Sequence, residues 1–277
     1  MAKDHNILIP WDFTPVAEYA LLHGFKFAQK AKSKKISLVH IIKNRKEQTK
    51  AQKKLDLIAS EHSGRNGVEV EAIVRIGSIF TTIGEVATEL DAELVIMGTH
   101  GLRGMQKLTG SWALKVIVSS KIPFVVVQEP PNETDFKDIV FPIDFKRETK
   151  EKLNWVTYFY KYFSPKFHII KPNVTDVGFL KKIKANVVFA RKFMDSKKVE
   201  YELQTVDGKK NFAVEIMDYA STINADLILI LSTKNIGFTD YIIGAQEQYI
   251  IANSSKIPVM VVNPREDLTK FASFHRV

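Results

Sequence analysis

The chain has 277 residues, 45% of them hydrophobic, and a formal net charge of +9 at neutral pH. It contains no cysteine, which excludes disulfide bonds, thiolate catalysis and cysteine metal sites. The length suits two domains of ordinary size. The first residues lack the apolar region of a signal peptide, and no apolar run is long enough to span a bilayer, so we expect a cytoplasmic protein without a membrane partner.

The basic charge is spread along amphipathic segments. Lysines recur through residues 43–54 and 181–198, as is typical of solvated helix faces. No nucleic-acid-binding signature accompanies them, so we do not expect nucleic acid as a partner.

Strands and helices are predicted to alternate through the first half of the chain. Ile7–Pro10 is a short apolar strand, and Thr14 with Pro15 suits the cap and first residue of a helix ending near Ala31. The same alternation continues with strands at 36–42, 68–74, 94–97 and 123–127 and with helices at 45–62, 78–90 and from 111 onward. This order predicts a parallel sheet covered by helices on both faces.

A glycine-rich loop follows the fourth predicted strand. It contains Gly98, Gly101, Gly104 and Gly110, and a helix begins at Ser111. Glycines let a backbone approach a ligand closely, and a helix N-terminus offers unpaired N–H groups, so this order suits a phosphate. A plain loop with flexible turns is the alternative, since neither the P-loop nor the dinucleotide fingerprint is present. Because ligands lie beyond the carboxyl ends of parallel strands, Asp12 and this loop are expected to line one crevice.

The second half of the chain repeats the first. Residues 139–145 (IVFPIDF) echo residues 7–13 (ILIPWDF), and residues 255–262 echo residues 120–127. Further echoes at 166–170, 199–206 and 225–230 keep the same order. This indicates an internal duplication, with domains at 1–130 and 136–265 and a tail at 266–277. Two similar domains are expected to pack as an internal pseudo-dimer.

The glycine loop is poorly preserved in the second copy. Gly98 is replaced by Ser232, Gly101 by Asn235 and Ser111 by Ala245, while Gly244 keeps the place of Gly110. The second copy is therefore expected to be a structural partner and not a second nucleotide site. Asp144 keeps the place of Asp12, although a carboxylate at a strand end is also an ordinary helix-capping residue.

Together these segments resemble the universal stress protein family in its tandem two-domain form. The resemblance is carried by residues 9–14 (IPWDFT), 38–41 (LVHI), 97–101 (MGTHG), 110–111 (GS) and 123–127 (PFVVV). It covers nearly the whole chain, once per half. It implies an α/β fold with two doubly wound, parallel, five-stranded sheets that are Rossmann-like and similar to the adenine nucleotide alpha hydrolases.

The resemblance also implies a nucleotide site in the first domain. The implied binding residues are Pro10, Trp11, Asp12, Ile41, Met97, Gly98, His100, Gly101, Gly110, Ser111 and Trp112. The glycines and Ser111 would contact phosphates and ribose, as in the Gly-x-x-Gly and Gly-Ser pattern of the ATP-binding branch. Asp12 and the backbone of Ile41 would lie near adenine.

One spacing and one residue depart from the family pattern. The spacer between Gly101 and Gly110 is one residue shorter than usual, which changes how the loop meets the helix. Trp11 replaces the small residue that usually precedes the aspartate. An indole at this position either stacks on adenine or fills its place.

The resemblance implies a stress-response regulator that binds ATP, or a related adenine nucleotide, with Mg²⁺ brought by the nucleotide. No catalytic base, lysine clamp or metal-binding carboxylate pair is evident, so we expect slow ATP hydrolysis at most. Two other hypotheses stay open: a nucleotide-free interaction scaffold, and an adenylyl- or phosphoryl-transferring enzyme. An unidentified protein partner and a further homodimer are compatible with a regulator. We interpret His40 as a core histidine and residues 155–163 as a packing surface.

Overall fold

The computed structural model describes residues 6–31, 33–100, 112–118, 120–133, 135–146, 151–234, 241–242 and 244–263, without the side chains of 112, 113, 233, 234, 241 and 242. The chain divides into two compact units, Met1–Glu133 and Thr134–Val277. The division falls in the proline-bearing segment between the predicted domain ends at 130 and 136. The predicted tail, 266–277, lies outside the described residues.

The first unit alternates strands with helices, as predicted. Its strands are β1 (Asn6–Pro10), β2 (Lys35–Ile42), β3 (Glu69–Ile76), β4 (Ala92–Gly98) and β5 (Phe124–Val127). Its helices are α1 (Pro15–Ala31), α2 (Gln48–His62), α3 (Ile79–Glu89) and α4 (Trp112–Val118). The strands form a parallel sheet in the order β3-β2-β1-β4-β5, so the chain reverses its direction of travel across the sheet between β1 and β4.

The second unit has the same strand order. Its strands are β6 (Asp138–Pro142), β7 (Lys166–Lys171), β8 (Tyr201–Thr205), β9 (Leu227–Leu231), β10 (Thr233–Lys234), β11 (Tyr241–Ile242) and β12 (Val259–Val262). Its helices are α5 (Leu153–Phe163), α6 (Val177–Lys197), α7 (Phe212–Thr222) and α8 (Ala245–Ile251). The parallel sheet has the order β8-β7-β6-β9-β12, and β10 and β11 form a separate antiparallel pair. The predicted α/β fold with five-stranded parallel sheets is confirmed.

The central strands are apolar on both faces because helices cover both faces of the sheet. Ile7, Leu8 and Ile9 of β1 are completely buried, as is the Leu94–Ile96 run of β4. Ser78 begins α3 as predicted, because its side chain accepts a hydrogen bond from the Phe80 amide at 3.3 Å. Periodicity and capping thus place these elements correctly.

Two element boundaries differ from the prediction. The single helix expected over 45–62 begins instead with a short 3₁₀ turn, because the Asn44 side chain accepts from the Lys46 amide and caps that turn. The strand expected over 199–206 is shorter. Val199 follows the left-handed Lys198 that caps α6, and its amide donates to the Met194 carbonyl instead of joining the sheet.

The aromatic run 155–163 packs inside the second unit, as predicted. Phe159 is completely buried in α5, and Phe136 meets Phe159 and Phe163 edge to face at centroid distances of 5.7 and 5.0 Å. These contacts favour a core role for the run.

Candidate functional site

A cavity of about 230 Å³ lies at the carboxyl ends of strands in the first unit. It is lined by Pro10, Trp11, Asp12, Val16, Ala17, Val39, His40, Ile41, Ile79, Ile83, Met97, Gly98, Thr99, His100 and Val116. These residues come from the ends of β1, β2 and β4 and from α1, α3 and α4. The cavity lies beside β1 and β4, where the chain reverses its direction of travel across the sheet. Open parallel sheets bind their ligands at such points.

The structure brings most of the predicted site residues to this cavity. Pro10, Trp11, Asp12, Ile41, Met97, Gly98 and His100 all line it. Gly101, Gly110 and Ser111 lie outside the described residues, and the side chain of Trp112 is also not described. The shared location supports one site, while the ligand contacts of these residues stay predictions.

Trp11 is held in the cavity wall by its own backbone. Its amide donates to the Val39 carbonyl at 2.8 Å, which continues the β1–β2 pairing one residue beyond the strand. Its carbonyl accepts a hydrogen bond from Nδ1 of His40 at 2.7 Å. Only 5% of Trp11 is exposed, and its indole Nε1 has no hydrogen-bond partner among the residues that the structure describes.

His40 is a site residue that the sequence interpretation missed. It is half-buried and lines the cavity, so it is not the core histidine that we expected. Its ring meets Phe13 edge-on at a centroid distance of 4.8 Å, and Nζ of Lys54 lies 3.9 Å from the Phe13 ring centroid. The sequence signal that could have identified His40 as a cavity residue is its position next to Ile41, at the carboxyl end of the second strand.

The Asp12 carboxylate is used for local structure. Its Oδ1 accepts hydrogen bonds from the amide and hydroxyl of Thr14, at 3.0 and 2.5 Å, just before α1 begins. In the second unit, Oδ1 of Asp144 accepts from the Lys146 amide at 2.8 Å in the same way. Both aspartates therefore order the turn that leads out of the first strand of their unit, and Asp12 also lines the cavity.

Gly98 has a packing role that the sequence did not reveal. A Cβ at this position would lie 2.0 Å from the backbone carbonyl oxygen of Val16, far inside van der Waals contact. Only glycine therefore lets the first turn of α1 approach the end of β4. This contact forms one wall of the cavity, since both residues line it.

We expect Gly98→Ala to lower the free energy of unfolding by about 1–3 kcal/mol, because the added methyl group must displace helix backbone. Urea unfolding followed by circular dichroism measures this change. Gly178→Ala in α6 is the matched control, since its Cβ would meet only a side-chain oxygen of Asp176, at 3.2 Å. Equal stability of Gly98→Ala and the unmodified protein would contradict the packing role.

The corresponding region of the second unit is filled by polar side chains. Its cavity measures about 50 Å³ and is lined by Asp144, Lys146, Lys152 and Glu247, among others. Lys152 is 3% exposed and stands where the first unit has Ala20, counting from the matched Ile139 and Ile7. Its Nζ donates to the carbonyl of Pro142 at the end of β6 and, at 3.3 Å, to the carbonyl of Leu229 within β9.

Burial lowers the pKa of Lys152 to about 7, although the nearby Asp144 carboxylate opposes that shift. Its Nζ lies 4.4 Å from the centroid of the Phe141 ring. In the lining of the same cavity, Nζ of Lys146 forms an ion pair with Oε1 of Glu247 at 2.8 Å. These charged groups line the small cavity of the second unit, and the absence of a second nucleotide site stays a prediction.

A separate polar cluster lies at the amino ends of the strands in the second unit. His168 is buried, with Nε2 2.7 Å from Oδ1 of Asp138 and Nδ1 2.8 Å from Oε1 of Glu202. Two hydrogen bonds lower the pKa of Glu202 to about 2. The bond from Lys166 has the larger effect and the bond from Tyr219 the next. Because both ring nitrogens are engaged, this cluster ties β6, β7 and β8 together.

Within the described ranges, no group of three or more histidine, aspartate or glutamate side chains is placed to hold a metal ion. No helix among the described residues is long and apolar enough to cross a membrane.

The fold of the chain corresponds to that of a known protein class. Residues 5–128 match the model of the universal stress protein family. The first unit therefore belongs to the universal stress protein family.

Solved structures extend the fold comparison to nearly the whole chain. A universal stress protein from Archaeoglobus fulgidus DSM 4304 superposes with a TM-score of 0.75 at 18% identity, covering 95% of this chain and 98% of that one. A functionally unknown protein from Pseudomonas aeruginosa PAO1 superposes with a TM-score of 0.68 at 16% identity, covering 98% of both chains. At these identities the likeness establishes the fold. No curated protein sequence matches the chain.

Proposed function

We propose that this protein is a stress-response regulator that binds ATP, or a related adenine nucleotide, in its first unit. Membership in the universal stress protein family supports a role in the stress response. The observation that carries the nucleotide proposal is the largely apolar cavity at the β1–β4 reversal, beside Gly98, where the glycine-rich segment begins. Such a position is typical of nucleotide sites in open parallel sheets.

The size of the cavity suits part of a nucleotide. About 230 Å³ is less than the roughly 300–1,000 Å³ of pockets that enclose a drug-sized ligand. We therefore assign the cavity to the base, with the sugar and phosphates directed toward the segment after Gly98. Mg²⁺ would arrive with the phosphates, because this ion is usually bound through substrate phosphates and water.

The proposed role is binding and not turnover. In the proposal, nucleotide-bound and nucleotide-free forms differ in their affinity for a protein partner or for a second copy of the chain. The cytoplasm is the proposed location, since adenine nucleotides are available there.

Calorimetric titration with ATP and Mg²⁺ tests the proposal, after a check that no nucleotide co-purifies. We expect saturable binding at one site per chain. Ile79→Trp should weaken binding at least tenfold, because Ile79 lines the cavity but is 37% exposed, so a larger side chain enters the cavity without displacing the core.

Ile76→Trp is the matched control. Ile76 is an apolar residue in the same unit, is 46% exposed and does not line the cavity. Its binding should equal that of the unmodified protein. Absence of both heat and thermal shift for the unmodified, nucleotide-free protein would overturn the proposal.

A nucleotide-free interaction scaffold is the second candidate function. The exposed apolar side chains of Val177, Phe179 and Leu180 at the start of α6 favour it, since such groups are common at contact surfaces. This alternative gives no heat in the ATP titration.

A further inference from the structure

Helix α6 carries apolar side chains that its own unit does not cover. The residues that α6 buries are Ile183, Asn186, Val187, Ala190 and Met194. Five large apolar residues of the same helix are between 42% and 79% exposed, namely Val177, Phe179, Leu180, Val188 and Phe189. The exposed ring of Phe145 lies 4.5 Å from that of Phe179, centroid to centroid, and extends this surface beyond the helix. Such a concentration of exposed apolar side chains is typical of a contact surface.

Basic side chains lie on the same side of the helix. Residues three or four positions apart share one face of a helix. The exposed residues that are spaced in this way define what we call the outer face of α6: Val177, Leu180, Lys181, Lys184, Val188 and Lys192. The whole helix has six basic residues and one acidic residue, Asp195. The outer face therefore presents apolar groups and positive charge together.

A comparison with α2 shows that basic charge alone does not account for this surface. Lys46, just before α2, and Lys50 and Lys53 within it are also exposed. In α2, which the structure describes throughout, Leu57 is the one large apolar side chain that is exposed. Helix α2 thus fits a solvated basic helix, whereas α6 adds apolar exposure that solvation does not explain.

The mixture of lysine and apolar side chains favours a lipid surface over a protein partner. Protein interfaces collect apolar residues at a centre from which lysine is depleted. On the outer face of α6, Lys181 and Lys184 lie between Leu180 and Val188. At an anionic bilayer, apolar side chains enter the region below the headgroups, while lysine stems lie along them and the ammonium groups meet lipid phosphates. A second copy of the chain does not fit, since two basic faces repel each other.

We propose that the outer face of α6 binds the surface of an anionic phospholipid membrane, with the helix lying in the membrane plane. The 21 residues of α6 give this contact a length of about 30 Å. Our expectation of no membrane partner rested on spanning segments, which such peripheral contact does not need. The proposal is independent of nucleotide binding in the first unit.

Co-sedimentation with vesicles tests the proposal on the unmodified protein. We expect binding to vesicles of phosphatidylglycerol and phosphatidylcholine in equal parts, and at least tenfold weaker binding to phosphatidylcholine alone. Binding should weaken as salt is added, because salt screens the attraction. Failure to bind the anionic vesicles at low salt would overturn the proposal. Binding to polyglutamate without binding to these vesicles would identify an acidic polypeptide as the partner and overturn the lipid assignment.

A triple variant, with Lys181→Gln, Lys184→Gln and Lys192→Gln, tests the charge of the outer face. Each lysine near an anionic membrane surface is expected to contribute about fivefold in affinity, so the triple variant should bind the anionic vesicles about 100-fold more weakly. All three side chains are exposed, so the fold should be preserved, and circular dichroism checks this.

The matched control removes the same charge from the first unit, with Lys46→Gln, Lys50→Gln and Lys53→Gln. Its binding to the anionic vesicles should stay within about twofold of the unmodified protein, because screening confines the attraction to charges near the lipid. Equal losses in the two triple variants would show attraction by net charge alone and would rule out α6 as the binding surface.

A double variant, with Val177→Ser and Val188→Ser, tests the apolar part of the contact. We expect about tenfold weaker binding to the anionic vesicles, because less apolar surface leaves water. Leu57→Ser is the control, since it removes an exposed apolar side chain from the basic helix α2 and should leave binding unchanged. Unchanged binding of the double variant would contradict insertion of the outer face into the membrane surface.

Discussion

Lys152→Met is expected to abolish a rise in stability that the unmodified protein shows under mildly alkaline conditions. Burial lowers the pKa of Lys152 to about 7, whereas an unfolded lysine keeps its ordinary value of 10.5. Between these values the unfolded chain binds one more proton than the folded chain, so the free energy of unfolding rises with pH by about 1.4 kcal/mol per pH unit. From pH 7 to 9.5 the rise is about 3 kcal/mol, and the methionine variant should lack it.

Urea unfolding at several pH values measures this slope. Lys181→Met is the control, because it removes an exposed lysine of α6 and should preserve the slope. The buried carbonyls of Pro142 and Leu229 lose a donor in Lys152→Met, so the test rests on the pH dependence and not on stability at one pH. A slope that persists in Lys152→Met would show that a different group titrates.

His23→Gln is expected to protect the first unit against mild acid. His23 is 2% exposed in α1, and burial lowers its pKa to about 4 although its Nε2 donates to the Glu129 carbonyl at 3.1 Å. An unfolded histidine takes up its proton near pH 6.5, so the folded state loses stability as the pH falls from 6.5 to 4. The full loss is about 3 kcal/mol for one proton.

The test compares the free energies of unfolding of the unmodified protein and His23→Gln at two pH values. Their difference in unfolding free energy at pH 8 gives the packing cost of the substitution, and the change in that difference at pH 4.5 gives the histidine contribution. We expect the unmodified protein to lose about 2 kcal/mol more than His23→Gln between these conditions. Parallel stability curves would contradict the assignment to His23.

The buried Lys152 also distinguishes the second unit from the first. Both units have the same strand order, and Lys152 holds the position that corresponds to Ala20. The first unit buries a methyl group at this position, while the second buries an amine that donates to the carbonyls of Pro142 and Leu229. The cavity that Lys152 lines measures about 50 Å³, against about 230 Å³ in the first unit.

Local patterns in the chain were enough to predict the alternating strands and helices, the Ser78 cap and the crevice at the strand ends. These features depend on hydrophobic periodicity and on hydrogen bonds between near neighbours. Seven of the predicted site residues, Pro10, Trp11, Asp12, Ile41, Met97, Gly98 and His100, meet at the cavity because parallel strands bring their carboxyl ends together.

Other properties depended on residues far apart in the chain. The sequence alone indicates an ordinary solvated charge at Lys152. In the structure its Nζ donates to the carbonyl of Leu229, which is 77 positions away in the chain. The sequence predicts that Gly98 belongs to a phosphate-binding loop. The structure adds a packing role, because the Val16 carbonyl lies in the space that a Cβ at this position would occupy. Two further properties of this kind are the burial of the Trp11 indole and the position of His40 in the cavity wall. Burial, proton affinity and hydrogen-bond satisfaction are set by the whole set of packed neighbours, and only the tertiary fold brings those neighbours together.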